Sequence, residues 1–277
     1  MTTVGLLYPG HFAEDDFPRI EIMLDTDIRL PLFHTDTDED ARDVDALRAL
    51  GAPDRLAEGV DELRLAGAEA LVWASTGGSF VHGWDGAQEQ IAALARTAGL
   101  PASSTSFGFA HAVRELGARR VAVAAAWPED VAGLFAAFLA SAGIETVAAA
   151  GGGVGGVAPA TGGIPTAGGI PTAGGGVATA REVAGWELEQ VKALALAADH
   201  PDAEVVLLPD TALHTAAYLP ELEEALGKPV LTANQVTVRE GLRLTDRRVW
   251  APTLGTLFAT REPVLGALEP KGIEVRE

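Results

Sequence analysis

Two polar turns in this chain follow strand-length apolar runs and carry side chains suited to acid–base or anion chemistry. One is Trp73-Ala74-Ser75-Thr76-Gly77-Gly78-Ser79-Phe80, the other Leu207-Leu208-Pro209-Asp210-Thr211-Ala212. Hydroxyls and glycines after a buried strand can aim O–H and backbone N–H donors at a carboxylate or an enediolate. An ordinary strand-to-helix turn has the same composition, so the first run alone does not separate a site from a connection. No Gly-Lys-Ser/Thr follows Ser75 and the dinucleotide-binding glycine spacing is missing, so phosphate-loop readings fail. Asp210 places one carboxyl group at the end of a strand, where it either moves a proton or caps a helix beginning near Leu213. Trp127, in Ala125-Ala126-Trp127-Pro128, leaves a third strand end and could wall a pocket or simply pack.

Composition removes several chemistries. With no cysteine among 277 residues, disulfides, thiolate catalysis and thiolate metal sites are excluded. The histidines His11, His34, His82, His111, His200 and His214 show no metal-ligand spacing, and Asp36, Asp38, Glu39 and Asp40 read as a solvated acidic run; no metal is assigned. Ser75 lacks the Gly-x-Ser-x-Gly elbow of hydrolases. A net charge of −19 with no Lys/Arg cluster opposes nucleic-acid or anionic-membrane binding. The start is strand-like without a basic leader and no apolar stretch is of membrane length, so a cytoplasmic protein is expected. Homo-oligomers are compatible with the sequence.

The elements that must position these turns follow from apolar periodicity. Strands are expected at Val4 to Tyr8, Ala70 to Ala74, Arg120 to Ala125, Val205 to Leu208 and Pro229 to Leu231, with helices between them. Alternation of this kind gives an α/β fold with parallel sheets. Asp54, Thr105 and Asp130 are candidate helix starts; Gly51, Gly67, Gly99, Gly117, Gly143 and Gly227 are candidate stops. Residues 101–116 align without a gap on 229–244 as strand, polar turn and helix, and the opener ending at Tyr8-Pro9 matches the one ending at Trp127-Pro128. The expected architecture is therefore two similar Rossmann-like lobes with parallel sheets, related by a pseudo-twofold axis that sets Ser75 opposite Asp210. The first lobe is expected to hold residues 1–116 with the C-terminal segment from about 234 to 277, and the second residues 117–233. The Gly/Ala/Pro/Thr stretch at 150–177, with its tandem Gly-Gly-Ile-Pro-Thr-Ala, cannot bury a core. It is expected to be a flexible surface insert rather than a lid.

Together the turns resemble the aspartate/glutamate racemase superfamily, in its branch of maleate cis-trans isomerases and arylmalonate decarboxylases. The likeness runs from about Val4 to Leu244, leaving out the Gly-rich insert. Ser75 and Asp210 stand where the family's two cysteines stand, Thr232-Ala233-Asn234-Gln235 is similar to the segment after the last core strand, and Trp127 occupies the place of a pocket tyrosine. The resemblance implies chemistry without metal or organic cofactor. In these relatives, two thiols serve racemisation, one attacks the alkene in maleate isomerisation, and only the second protonates after decarboxylation.

A two-thiol mechanism cannot operate here, and no group is visible that would activate the Ser75 hydroxyl as a nucleophile. Asp210 remains a candidate proton-transfer group, provided burial and neighbouring substrate carboxylates favour its acid form. The expected function is a cofactor-independent lyase or isomerase, decarboxylase-like or maleate isomerase-like, acting on a small carboxylic or dicarboxylic acid. Asp210 and Ser75 are the candidate catalytic residues; Pro9, Thr76, Gly77, Trp127, Thr211 and Asn234 are the candidate substrate-binding residues. Two alternatives stand beside it: a small-carboxylate binder that has lost the chemistry, and an amino-acid epimerase using Asp210.

Overall fold

In a computed structural model, residues 1–35, 43–150, 166–167 and 178–259 are described. The acidic run after His34, nearly all of the Gly-rich stretch and the C-terminal residues from 260 onward lie outside them. Ten strands form among the described residues: β1 (Thr2–Tyr8), β2 (Ile28–Arg29), β3 (Leu32–His34), β4 (Ala70–Trp73), β5 (Ala102–Ser104), β6 (Arg120–Ala124), β7 (Glu145–Ala150), β8 (Thr166–Ala167), β9 (Val205–Leu208) and β10 (Val230–Thr232). All pairings among them are parallel. A parallel sheet is covered on both faces, so its strands must be apolar throughout rather than alternating. Accordingly, every residue of β1, β4 and β9 is buried.

The strands divide into two sheets of the same order. In the first, β1 is flanked by β2 and β3 on one edge and by β4 on the other, with β5 beyond β4; in the second, β6 lies between β7 and β9, with β10 beyond β9 and β8 beyond β7. The gap-free alignment appears directly in the element bounds. Strand β5 and the helix Thr105–Glu115 begin at Ala102 and Thr105, while β10 and the helix Ala233–Leu244 begin at Val230 and Ala233. The helix Ala233–Leu244 leaves the second sheet and packs on β1, β4, β5 and the helix Thr105–Glu115.

The five strands expected from apolar runs all form, each within two residues of its expected ends. Gly99 and Gly227 end helices in the left-handed conformation, at φ 63° in both cases, where an L side chain would be strained. Two helix starts shift: Asp54 and Asp130 fall in the first turns of Pro53–Glu58 and Glu129–Ser141, after cap positions at Ala52 and Pro128. As acidic first-turn residues they still meet the positive end of the helix dipole. No helix begins near Leu213. Residues 211–215 form an irregular loop, followed by a 3₁₀ turn at Ala216–Tyr218 and the helix Leu219–Leu226. No helix among the described residues is long and apolar enough to cross a membrane.

Candidate active site

The carboxyl ends of β1, β4, β6 and β9 deliver their turns to one open cavity. Strand carboxyl ends are where parallel sheets bind ligands. Tyr8, Pro9, Gly10 and Phe12 line it from the β1 turn, Ser75 and Gly77 from the β4 turn, Trp127 from the β6 turn, and Asp210, Thr211 and Ala212 from the β9 turn. Leu47 and Leu50 contribute apolar wall.

The Ser75 turn is close-packed. Ser75 is buried, and its Oγ accepts the Gly78 N–H at 3.1 Å, as a residue opening a helix does. A Cβ on Gly77 would lie 2.6 Å from Leu47 Cδ2, and one on Gly78 would lie 2.9 Å from Trp73 Cζ2, so neither position admits a side chain without displacement. Gln90 Nε2 donates to the Gly51 and Gly78 carbonyls, both at 2.8 Å, and Ser106 Oγ donates to the Thr76 carbonyl at 2.7 Å.

Asp210 is buried in an open-ended loop. Its Oδ1 accepts the Ala212 N–H at 3.0 Å, a local turn bond of the kind Asp makes two residues ahead. Several further bonds to the loop come from the β1 side. Tyr8 donates its O–H to the Thr211 carbonyl at 2.8 Å while its oxygen accepts the Ala13 N–H at 3.2 Å. Asp16 Oδ2 accepts the N–H groups of Thr215 and Ala216 at 2.9 and 3.2 Å, and His214 Nε2 lies 2.6 Å from Asp15 Oδ1. Burial pushes the Tyr8 phenol well above its ordinary range, so it stays a neutral donor. Burial also pushes the Asp16 carboxyl up, against the opposing bonds from Thr215, Asn234 and Ala216.

Six of the expected site residues therefore meet: Pro9, Ser75, Gly77, Trp127, Asp210 and Thr211 all face the cavity. Two do not line it. Asn234 is fully buried, with its amide turned to Asp16 Oδ2 at 3.1 Å and to the Leu213 carbonyl at 3.4 Å, so it braces the Asp210 loop from behind. Thr76 is also buried, and its Oγ1 has no hydrogen-bond partner among the described residues. Trp127 packs against Phe80 and Phe135, with ring centroids 5.2 and 5.8 Å away, which fixes the one indole that reaches the cavity. Tyr8 was missed from sequence, although a tyrosine ending a buried strand beside Pro9 is a signal of the same kind as Trp127 before Pro128.

The arylmalonate decarboxylase family model matches residues 51–167, which include the Ser75 and Trp127 turns. A liganded double variant of arylmalonate decarboxylase superposes with TM-score 0.73 at 22% identity, covering 94% of this chain and 99% of that one. Maleate isomerase from Pseudomonas putida S16 gives 0.74 at 16% identity, over 93% and 98% of the two chains. Maleate cis-trans isomerase from Nocardia farcinica, bound to TRIS, gives 0.74 at 20% identity with the same coverage. No curated protein matches the chain. The fold is thus that of arylmalonate decarboxylase and maleate isomerase structures, and the family match is consistent with the same branch of the racemase superfamily.

Proposed function

We propose that the chain is a cofactor-independent lyase or isomerase acting on a small carboxylic or dicarboxylic acid, with Asp210 as its proton-transfer group. The observation that carries this reading is the convergence of Asp210 and the Ser75–Gly77 turn on one cavity, from opposite sheets. The arylmalonate decarboxylase match over residues 51–167 supports the reaction class.

In the decarboxylase form, a substrate carboxylate lies against the Ser75 hydroxyl and the backbone N–H groups of Gly77 and Thr211. The bond from the α-carbon to a second carboxylate breaks, carbon dioxide leaves, and the electron pair moves into the retained carboxylate as an enediolate. Oriented donors in a site that excludes water stabilise that developing charge. Asp210 then gives its proton to the α-carbon and is reprotonated from solvent. Tyr8 and Trp127 wall the reacting carbon and limit water.

Assay of substituted malonates, maleate and amino diacids, with Asp210→Asn in parallel, tests the reading. Turnover of one of these acids that falls sharply in the variant is expected; turnover unchanged in Asp210→Asn removes Asp210 from the chemistry. A second reading, a carboxylate-binding protein without catalysis, is favoured by the absence of any cysteine. It predicts calorimetric binding of a dicarboxylate without turnover at high protein concentration.

A further inference from the structure

Beside the cavity mouth, three side chains far apart in any motif sense come together. His11 follows Gly10 in the β1 turn, Glu14 lies two residues before the helix Asp16–Leu24, and His34 ends β3. The backbone sets their meeting. In the β1–β3 pairing Tyr8 is the partner of His34, so the turn leaving β1 passes over the end of β3. The potential donor atoms of His11, Glu14 and His34 all lie within 4.8 Å of one another. The imidazole of His34 bonds Glu14 Oε2 through Nε2, and His11 Nδ1 is 3.5 Å from the same oxygen. The two rings lie face to face, with centroids 3.9 Å apart and planes tilted by 33°.

We propose that His11, Glu14 and His34 form a binding site for a late first-row divalent cation, with Zn²⁺ as its type. Bonds of about 2.0–2.2 Å from one ion to nitrogen and carboxylate oxygen place the donors about 3–4 Å from each other. The observed spacing meets that with small side-chain movements. Two imidazoles with one carboxylate suit zinc and its neighbours, whereas magnesium and calcium take oxygen donors. The arrangement gains from an ion as well. An ion between the rings and the carboxylate would hold all three in the observed cluster. His11 is exposed and the other two are half-buried, so an ion reaches the site from solvent. Three protein ligands leave the remaining coordination positions to water.

The site is separate from the proposed chemistry. None of the three lines the cavity, but Pro9, Gly10 and Phe12, which flank His11 along the chain, do. A bound cation ties this turn to the end of β3 and so fixes one wall of the mouth.

The test is calorimetric titration of tag-free, chelator-treated full-length protein with ZnCl₂, with Co²⁺ visible absorption as a second readout. One saturable equivalent is expected in the wild type, with Mg²⁺ unable to displace it. Since loss of an outer-shell partner costs about 10–100-fold in metal affinity, loss of a ligand in His11→Ala or His34→Ala should weaken binding at least about tenfold. His200→Ala should leave it unchanged. Zinc should raise the melting temperature of the wild type but not of His34→Ala. Absence of saturable binding, or binding that either ligand variant leaves unaltered, overturns the proposal.

Discussion

The Ser75 and Asp210 turns follow corresponding strands of two sheets with the same order, yet they are held differently. The Ser75 turn is fastened from its own side: Gln90 grips Gly51 and Gly78, Ser106 grips Thr76, and Ser79 Oγ meets Ser104 Oγ at 3.0 Å. The Asp210 loop is fastened largely from across the cavity, by Tyr8, Asp15 and Asp16, with His214 Nδ1 also meeting the Ala184 carbonyl and Asn234 donating to the Leu213 carbonyl. A hydroxyl bound into a packed turn suits a fixed anion contact. A carboxyl on a loop braced from the other half of the molecule suits a group whose position both halves fix. Equivalent places in a repeated architecture are thereby fastened in two different ways, one from within its own half and one largely from the other.

The largest expected break in this contrast is Asp210→Asn. The amide oxygen can still accept the Ala212 N–H, so structure should persist while turnover falls by about 10²–10⁴-fold, the usual contribution of a positioned acid. Steady-state assay beside a melting curve separates the two effects. Next is Asp16→Ala, which leaves the Thr215 and Ala216 N–H groups and the Asn234 amide without their buried acceptor. At about 1–3 kcal/mol for each orphaned group, a loss of about 3 kcal/mol or more is expected in denaturant unfolding, with Asp210-dependent turnover falling in parallel.

A third expectation sets the buried acid of the first-sheet side against Asp16. Burial opposes charge on Glu240, but hydrogen bonds from Arg243, His111 and Ser103 outweigh it and hold the carboxyl down to about 2, from an ordinary 4.5. A depressed acid contributes fully above its unfolded value and is lost as pH falls towards its folded one. Stability should therefore drop by about 3 kcal/mol between pH 4.5 and pH 2 on this account. In Glu240→Gln that part of the pH dependence should flatten when unfolding is followed across the same range. Asp16, shifted upward, runs the other way, contributing least once pH exceeds its folded value.

Smaller effects sharpen the contrast. Tyr8→Phe removes the bond to Thr211 and leaves the Ala13 N–H unpaired, for a stability loss of about 1–2 kcal/mol. Because that bond positions the Asp210 loop, kcat should fall more than KM changes. Ser75→Ala removes the acceptor of the Gly78 N–H, costing about 1 kcal/mol, and should mainly raise KM. A collapse of kcat in Ser75→Ala comparable with that in Asp210→Asn would give the two turns equal roles.

What the sequence made legible follows the range of the forces involved. Val205 to Leu208 reads as a buried strand because all four residues are apolar, and residues 101–116 and 229–244 align because each is one contiguous strand, turn and helix. The short strands β2 and β3 were invisible, since Ile28–Arg29 and Leu32–His34 owe their conformation to pairing with β1 across Pro31 rather than to any pattern of their own. No helix forms near Leu213; there the N–H groups of Thr215 and Ala216 are held by Asp16, nearly 200 residues away, a contact no local pattern announces. The same partner turns Asn234 from a cavity residue into a brace. His11, Glu14 and His34 carry no recognisable spacing because strand pairing, not helical periodicity, brings them together.

The hold on the Asp210 loop has a further consequence for how such a site can change over generations. Tyr8 takes hold of a carbonyl at Thr211, and Asp16 takes hold of amides at Thr215 and Ala216. These handles belong to every residue type except, for the amides, proline. Side chains at positions 211 and 212, which face the cavity, can therefore be exchanged without unfastening the loop that carries the acid. The scaffold leaves the lining of the cavity open to drift while the position of Asp210 stays anchored.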